Sequence, residues 1–210
     1  RDAGYTTHGI SSFGYVGRHY GYAQGFDTFD SSIMRLRKDV HHNPTSDLVT
    51  KHALRWLDKR KADPPPFFML THFADPHVGY VKHDTGRALK GSRSLRYDGE
   101  IFFTDKHVGR LLKGLETRGL LENTLVVITA DHGEGSNKKE DHGYRYHGQH
   151  IYDNAVHVPL VFYAPGGVAG RTPTPVGCID ILPTLLELTG VQSKGPPMSG
   201  TSLSGFLNGK

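Results

Sequence analysis

Thr124-Leu125-Val126-Val127-Ile128-Thr129-Ala130-Asp131-His132-Gly133-Glu134 is the stretch whose reading decides the fold. Its first half is a short β-branched and aliphatic run, the clearest buried-strand pattern in the sequence. Its second half changes abruptly to a carboxylate, an imidazole and a glycine. In open α/β sheets, ligands bind beyond the carboxyl ends of the strands. Asp and His are both metal-ligand types, and a glycine behind them lets the backbone turn sharply. The plainer reading makes Asp131 a turn or helix cap beside an incidental His132.

Working outward, helix and strand patterns alternate on both sides of this stretch. Upstream, a helix is expected from about Tyr97 to Arg118, with Ile101, Val108, Leu111, Leu112 and Leu115 as its buried stripe and Gly119 as its C′ residue. Before it, Phe67-Phe68-Met69-Leu70-Thr71 reads as a strand buried on both faces. Pro64 to Pro66 end an earlier helix that starts at a Thr45/Ser46 cap and buries Leu48, Val49, Ala53, Trp56 and Leu57. Lys59 and Arg60 suit that helix's C-terminal dipole. Downstream, Val158 to Tyr163 is a strand. Asp180 caps a helix with Pro183 in its first turn, burying Leu185, Leu186 and Leu188 before Gly190. Asp131 to Tyr152 reads as a long functional loop, and the tail from Gln192 to Lys210 as mostly irregular. The alternation predicts an α/β sandwich.

Composition agrees with a folded, loop-rich protein: 36% hydrophobic residues and 26 Gly in 210. The net charge of +4 is spread over short clusters, Arg35-Leu36-Arg37-Lys38 and Lys59-Arg60-Lys61, so no nucleic-acid partner is read from it. A single cysteine, Cys178, excludes an internal disulfide framework. No run approaches the ~18 apolar residues of a membrane span. The opening Arg1-Asp2-Ala3-Gly4 carries neither an initiator Met nor a signal peptide, and the sequence is expected to be part of a longer chain.

Two further clusters could do chemistry. His72-Phe73-Ala74-Asp75-Pro76-His77 follows a strand, and Pro76 restricts Asp75 to extended geometry, so His77 can be held in a fixed direction. A His there could give a proton to a leaving oxygen, or it could sit in a surface turn satisfying backbone groups. His142-Gly143-Tyr144-Arg145-Tyr146-His147-Gly148-Gln149-His150-Ile151-Tyr152 gathers imidazoles around an arginine. Such a group can present donors to an oxyanion, or form a pH-sensitive or metal-sequestering surface patch.

Taken together, these motifs resemble the sulfatase branch of the alkaline-phosphatase-like superfamily. The resemblance rests on Asp131-His132-Gly133-Glu134, His142-Gly143, His147-Gly148, Tyr152-Asp153 and Val158-Pro159-Leu160. Ile179-Asp180-Ile181-Leu182-Pro183-Thr184-Leu185-Leu186-Glu187-Leu188-Thr189-Gly190 looks like that family's helix signature. Ala3-Gly4-Tyr5-Thr6-Thr7 is similar to its strand entry, and Asp75-Pro76-His77 to its x-P-H turn.

The resemblance implies an alkaline-phosphatase-like α/β sandwich with a mostly parallel central sheet flanked by helices, incomplete at its N-terminus. Residues 1–210 would be a partial catalytic domain, with a C-terminal subdomain also lying outside them. Asp131 and His132 would be ligands of one divalent cation, calcium first, with magnesium, manganese and zinc open because His is not a favoured calcium ligand. Many members carry Asn where His132 stands. His77 would be the general acid, and His147 would bind sulfate oxygens. The family's nucleophile is a formylglycine made in a C/S-x-P-x-R motif, which does not occur here and is expected upstream of Arg1. Cys178 lacks the following Pro and Arg and reads as a small packed residue. The implied substrate is a sulfated small molecule or glycan, and the implied location periplasmic, secreted or lysosomal. Alternatives are a phosphodiesterase, phosphonate hydrolase or phosphoethanolamine transferase of the same superfamily, and a non-catalytic binder of anionic ligands.

Overall fold

The computed structural model describes residues 2–36, 43–60, 64–77, 79–81, 83, 93–136, 142–143 and 145–209, without the side chains of residues 93–95, 136 and 145. Arg37, Lys38 and Lys61 of the basic clusters lie outside the described residues, as do Tyr144 and the Arg145 side chain of the histidine-rich cluster.

The first of two compact units, Arg1–Gly119, is organised around a strand with little hydrophobic character. β1 (Thr6–Ser11) is the centre of a parallel sheet of order β2-β1-β3, with β2 (Thr28–Asp30) and β3 (Phe67–His72) at its sides. The register runs from Thr6 opposite Phe67 to Ser11 opposite His72. Thr7, His8 and Ser11 are buried, and their polar atoms are satisfied across the sheet. Thr7 Oγ1 donates to the Gly25 carbonyl at 3.2 Å, and His8 Nδ1 lies 2.6 Å from Thr28 Oγ1. Burial lowers the His8 pKa, favouring its neutral ring, which stacks on Trp56.

After α1 (Ile33–Leu36), α2 (Ser46–Asp58) and α3 (Arg93–Glu116) complete this unit. Val49, Ala53 and Leu57 recur four residues apart and are buried, which places one stripe of α2 inward. Val49 and Ala53 join Ile10, Ile33 and Leu111 in the core, against which Met69 and Phe73 also pack. Each fully buried side chain of this size contributes roughly 1.5–3 kcal/mol, more than helix propensity could supply. The α3 stripe differs from the expected one. Leu111 and Leu115 are buried, but Ile101 is 44% exposed, and Glu100 and His107 are buried in its place. Gly119, at φ 64°, closes the turn after α3 as a C′ residue.

The second unit, Leu120–Lys210, pairs β4 (Val126–Thr129) antiparallel with β7 (Leu160–Tyr163). Between them, β5 (Gly135–Ser136) and β6 (Arg145–Tyr146) form a two-residue antiparallel ladder inside the expected loop, followed by α4 (Asp153–Val156). α5 (Ile181–Thr189) ends at Gly190 as the sequence implies, but Asp180 caps differently. Its carboxylate accepts the amides of Gly177 and Thr201, at 2.8 and 2.7 Å, and these bonds lower its pKa. The buried residue of α5 is Thr184, with Leu185, Leu186 and Leu188 only half-buried. α6 (Ser204–Leu207) gives the tail one ordered turn.

Neither of the two apolar runs expected to be buried strands is fully buried. Phe68 and Leu70 of β3 are exposed while Phe67 and Met69 are sheltered, and Thr129 of β4 is exposed with its strand only half-buried. A continuous apolar run fixes a strand but not the number of its covered faces. No helix among the described residues is long and apolar enough to cross a membrane.

Candidate active site

In the second unit, Asp131 leaves the carboxyl end of β4 with its side chain 73% exposed. Its Oδ1 accepts the His132 amide at 3.0 Å, a short local turn that keeps the carboxylate beside the His132 ring. His132 Nδ1 lies 2.9 Å from the Gly133 carbonyl oxygen. A carbonyl only accepts, so Nδ1 carries the hydrogen and the lone pair of a neutral ring belongs to Nε2. That Nε2 is 3.6 Å from Asp131 Oδ2. The turn is locked from behind, because the Gly133 amide donates to the Ala155 carbonyl at 2.8 Å. A methyl group on Gly133 would collide with the Asn154 carbonyl oxygen.

His147 joins this pair. Its ring stacks on His132 with centroids 3.6 Å apart, and its Nδ1 faces Glu134 Oε2 at 3.4 Å. Three of the four expected site residues, Asp131, His132 and His147, are therefore gathered in one place. Glu134, part of the motif but given no role by the sequence, supports His147 there.

Does this donor set suit a divalent cation? Neighbouring ligands of one cation at about 2.0–2.5 Å sit roughly 3–3.5 Å from each other. The 3.6 Å between Asp131 Oδ2 and His132 Nε2 is close to that bite. The Gly133 carbonyl also holds the tautomer that leaves Nε2 available, the usual outer-shell device for a ligating His. Among the described residues no group of three or more His, Cys, Asp or Glu could enclose a metal. The pair fits two adjacent positions of a coordination sphere and needs further ligands.

His77 belongs to the first unit, where its setting is built from buried polar groups. The Asp75–Pro76 peptide is cis. The Asp75 side chain also anchors the turn. It is buried, and its Oδ2 accepts the amides of Thr45 and Ser46 at 2.8 and 2.7 Å and the Ser46 hydroxyl at 2.5 Å. Thr45 makes no side-chain cap of its own, so Asp75, from a distant turn, caps α2. Ser12, just past β1, accepts the Ala74 amide at 3.0 Å. Glu100 of α3 accepts the amides of His77 and Val81 at 3.1 and 2.8 Å. The His77 ring lies against Phe13, centroids 4.8 Å apart.

Sequence reasoning gave no role to Glu100 or Ser12. The signal for Glu100 was present: Glu100, Thr104, His107 and Leu111 share one α3 face, and an acid on a core-facing stripe calls for a buried partner. Ser12 had no comparable signal. Cys178 is exposed, with Sγ 3.5 Å from Thr129 Oγ1, and is not the packed residue expected from its neighbours.

Comparison with known proteins bears on the whole arrangement. The sulfatase family model matches residues 1–191. Arylsulfatase K of Mus musculus is 31% identical over 166 residues, covering 74% of this chain and 29% of the mouse protein. The chain thus spans under a third of that relative's length. A protein solved with its substrate D-glucosamine-2-N,6-O-disulfate matches at TM-score 0.71 and 18% identity, over 99% of this chain and 63% of that one. The phosphonate monoester hydrolase of Silicibacter pomeroyi matches at TM-score 0.64 and 24% identity, over 79% of this chain and 41% of that one. At these identities the structural likeness establishes the alkaline-phosphatase-like α/β fold.

Proposed function

The chain belongs to the sulfatase family, and from that membership we propose that it supplies the cation-binding and proton-donating parts of a sulfate-ester hydrolase. The observation that carries the reading is the Asp131–His132 pair at the end of β4, with the His132 tautomer set by the Gly133 carbonyl. In the proposed site these two hold one divalent cation, calcium first, with magnesium, manganese or zinc as the alternatives. When bound, the cation supplies charge neutralisation at the sulfate and a lowered pKa for the nucleophile. From family membership that nucleophile is proposed to be a formylglycine; residues 1–210 contain no C/S-x-P-x-R motif that would carry it.

The chain's own residues then have separate tasks. His77, its backbone fixed and its ring braced by Phe13, donates a proton to the departing alcohol oxygen. His147, braced by His132 and Glu134, donates a hydrogen bond to a sulfate oxygen. A sulfated sugar or small molecule is the proposed substrate, in keeping with the solved neighbour that binds a glucosamine disulfate.

A second reading, phosphonate or phosphate-ester hydrolysis, is favoured by the fold shared with the Silicibacter enzyme. Turnover of 4-nitrophenyl sulfate and 4-nitrophenyl phenylphosphonate by the full-length protein decides between them. Sulfate release is expected to dominate kcat/KM, whereas a phosphonate preference replaces the first reading with the second.

A further inference from the structure

We propose that Glu100 is a positioning residue for His77, its two carboxylate oxygens holding the amides of His77 and Val81 so that the imidazole stays fixed against Phe13. This rests on the reading of His77 as the proton donor to the leaving oxygen.

Glu100 is 4% exposed, and each of its oxygens has a different backbone donor: Oε2 takes the His77 amide at 3.1 Å and Oε1 the Val81 amide at 2.8 Å. One side chain from α3 therefore holds the backbone at both His77 and Val81. Two N–H groups converging from different positions require an acceptor at each. A carboxylate meets that need, whereas the amide nitrogen of Gln would face one of the donors.

Among the described residues, the other charged and titratable groups around Glu100 do not explain a buried acid there. His83 Nε2 is 3.9 Å from Oε1, too far for a hydrogen bond, and Asp75 raises the Glu100 pKa further. Burial is the largest effect and, with Asp75, outweighs the two amide bonds to push the carboxyl up to about 7. An acid held at such an electrostatic disadvantage is retained for what its oxygens grip. They grip the backbone of His77. Asp75, on the near side of Pro76, anchors the same turn to α2. The turn is thus pinned on both sides of the histidine, as a proton donor needs if its ring is to meet one oxygen repeatedly.

The test uses the full-length protein with Glu100→Gln, Glu100→Asp, His77→Ala and the His77→Ala/Glu100→Gln pair, assayed on 4-nitrophenyl sulfate and phenyl sulfate. A proton donor matters most for the poorer leaving group. His77→Ala is expected to lose on the order of 100-fold in kcat on phenyl sulfate and under about 10-fold on the nitrophenyl ester. Glu100→Gln is expected to show the same selectivity at about 10-fold, with KM little changed and no further loss in the double variant. Glu100→Asp keeps both acceptor oxygens and should retain more phenyl sulfate activity than Glu100→Gln. Equal losses on both esters in Glu100→Gln, beside a selective His77→Ala, overturn the positioning role.

An unselective His77→Ala instead removes His77 as the acid. Hydrogen exchange then decides the structural half of the proposal. The amides of His77 and Val81 should lose protection in Glu100→Ala, and retained protection overturns it.

Discussion

Asp75-Pro76-His77 and Asp131-His132-Gly133 place an aspartate and a histidine in a turn just beyond a strand, yet the two aspartates do opposite work. Asp75 is 6% exposed and commits its carboxylate to the start of α2. Asp131 is 73% exposed and commits one oxygen to its neighbour's amide, leaving the other facing His132 Nε2. Residue type alone does not separate a structural carboxylate from one kept for a ligand. What separates them is how many lone pairs the fold has already used. The first turn is anchored to α2 and α3 through buried carboxylates, and the second keeps its side-chain donors outward.

The sharpest way to break this contrast is to truncate each aspartate in turn. Asp75→Ala leaves two helix-start amides and a buried hydroxyl without their acceptor and is expected to cost about 3–5 kcal/mol in urea unfolding. Asp131→Ala should change stability by no more than about 0.5 kcal/mol. Equal costs would erase the distinction.

Gly133→Ala probes the second turn from behind. The added methyl meets the Asn154 carbonyl, and the strain is expected to cost about 1–3 kcal/mol and to displace the Asp131–His132 pair. Weakened cation binding beside a modest fall in melting temperature would show both effects. A neutral substitution would mean that the turn is not locked by α4.

pH separates the buried network further. The folded-state pKa of Glu100, about 7, lies above its ordinary value of 4.5. The folded protein therefore holds the extra proton between those values. Stability from this group is present below about pH 4.5 and lost as pH rises through about 7. Glu100→Gln should accordingly gain on the wild type between pH 5 and pH 8 in urea unfolding, and a constant gap would contradict that. Asp30 runs the other way. Burial alone would raise it, but hydrogen bonds from Ser32 and His52 outweigh burial and hold it at about 2. Its contribution is lost as pH falls from about 4 through 2.

The smallest effect expected is at His147. His147→Gln should leave unfolding unchanged, because the residue is braced by a stack and a long contact rather than anchored in a core. KM for an aryl sulfate should rise by roughly tenfold, about 1.4 kcal/mol of lost oxyanion contact. An unchanged KM would remove His147 from the site.

Much of the fold was legible because α2 and α3 carry helical stripes and β3, β4 and β7 carry apolar runs. β1 was legible only in the resemblance of Ala3-Gly4-Tyr5-Thr6-Thr7 to a strand entry, since Thr6-Thr7-His8-Gly9-Ile10-Ser11 has little hydrophobic pattern and is nonetheless buried from Thr7 to Ser11. Its polar groups are satisfied by residues far along the chain, which periodicity cannot see. The same limit hid the anchoring role of Asp75, whereas Glu100 stood on a core-facing stripe and only its backbone partners were out of the sequence's reach. Asp131 and His132 could be singled out because ligand-type residues directly after a strand stand out locally, and His147 because imidazoles cluster around it in the sequence; their roles are proposed.

The central claim is that Asp131 is held for a cation while Asp75 is held for the fold, and Asp131→Asn in the full-length protein tests it most directly. Unfolding is expected within about 0.5 kcal/mol of wild type, and aryl sulfate turnover reduced on the order of 100-fold or more, with calcium affinity falling in parallel. Undiminished turnover and cation binding in that variant would contradict it.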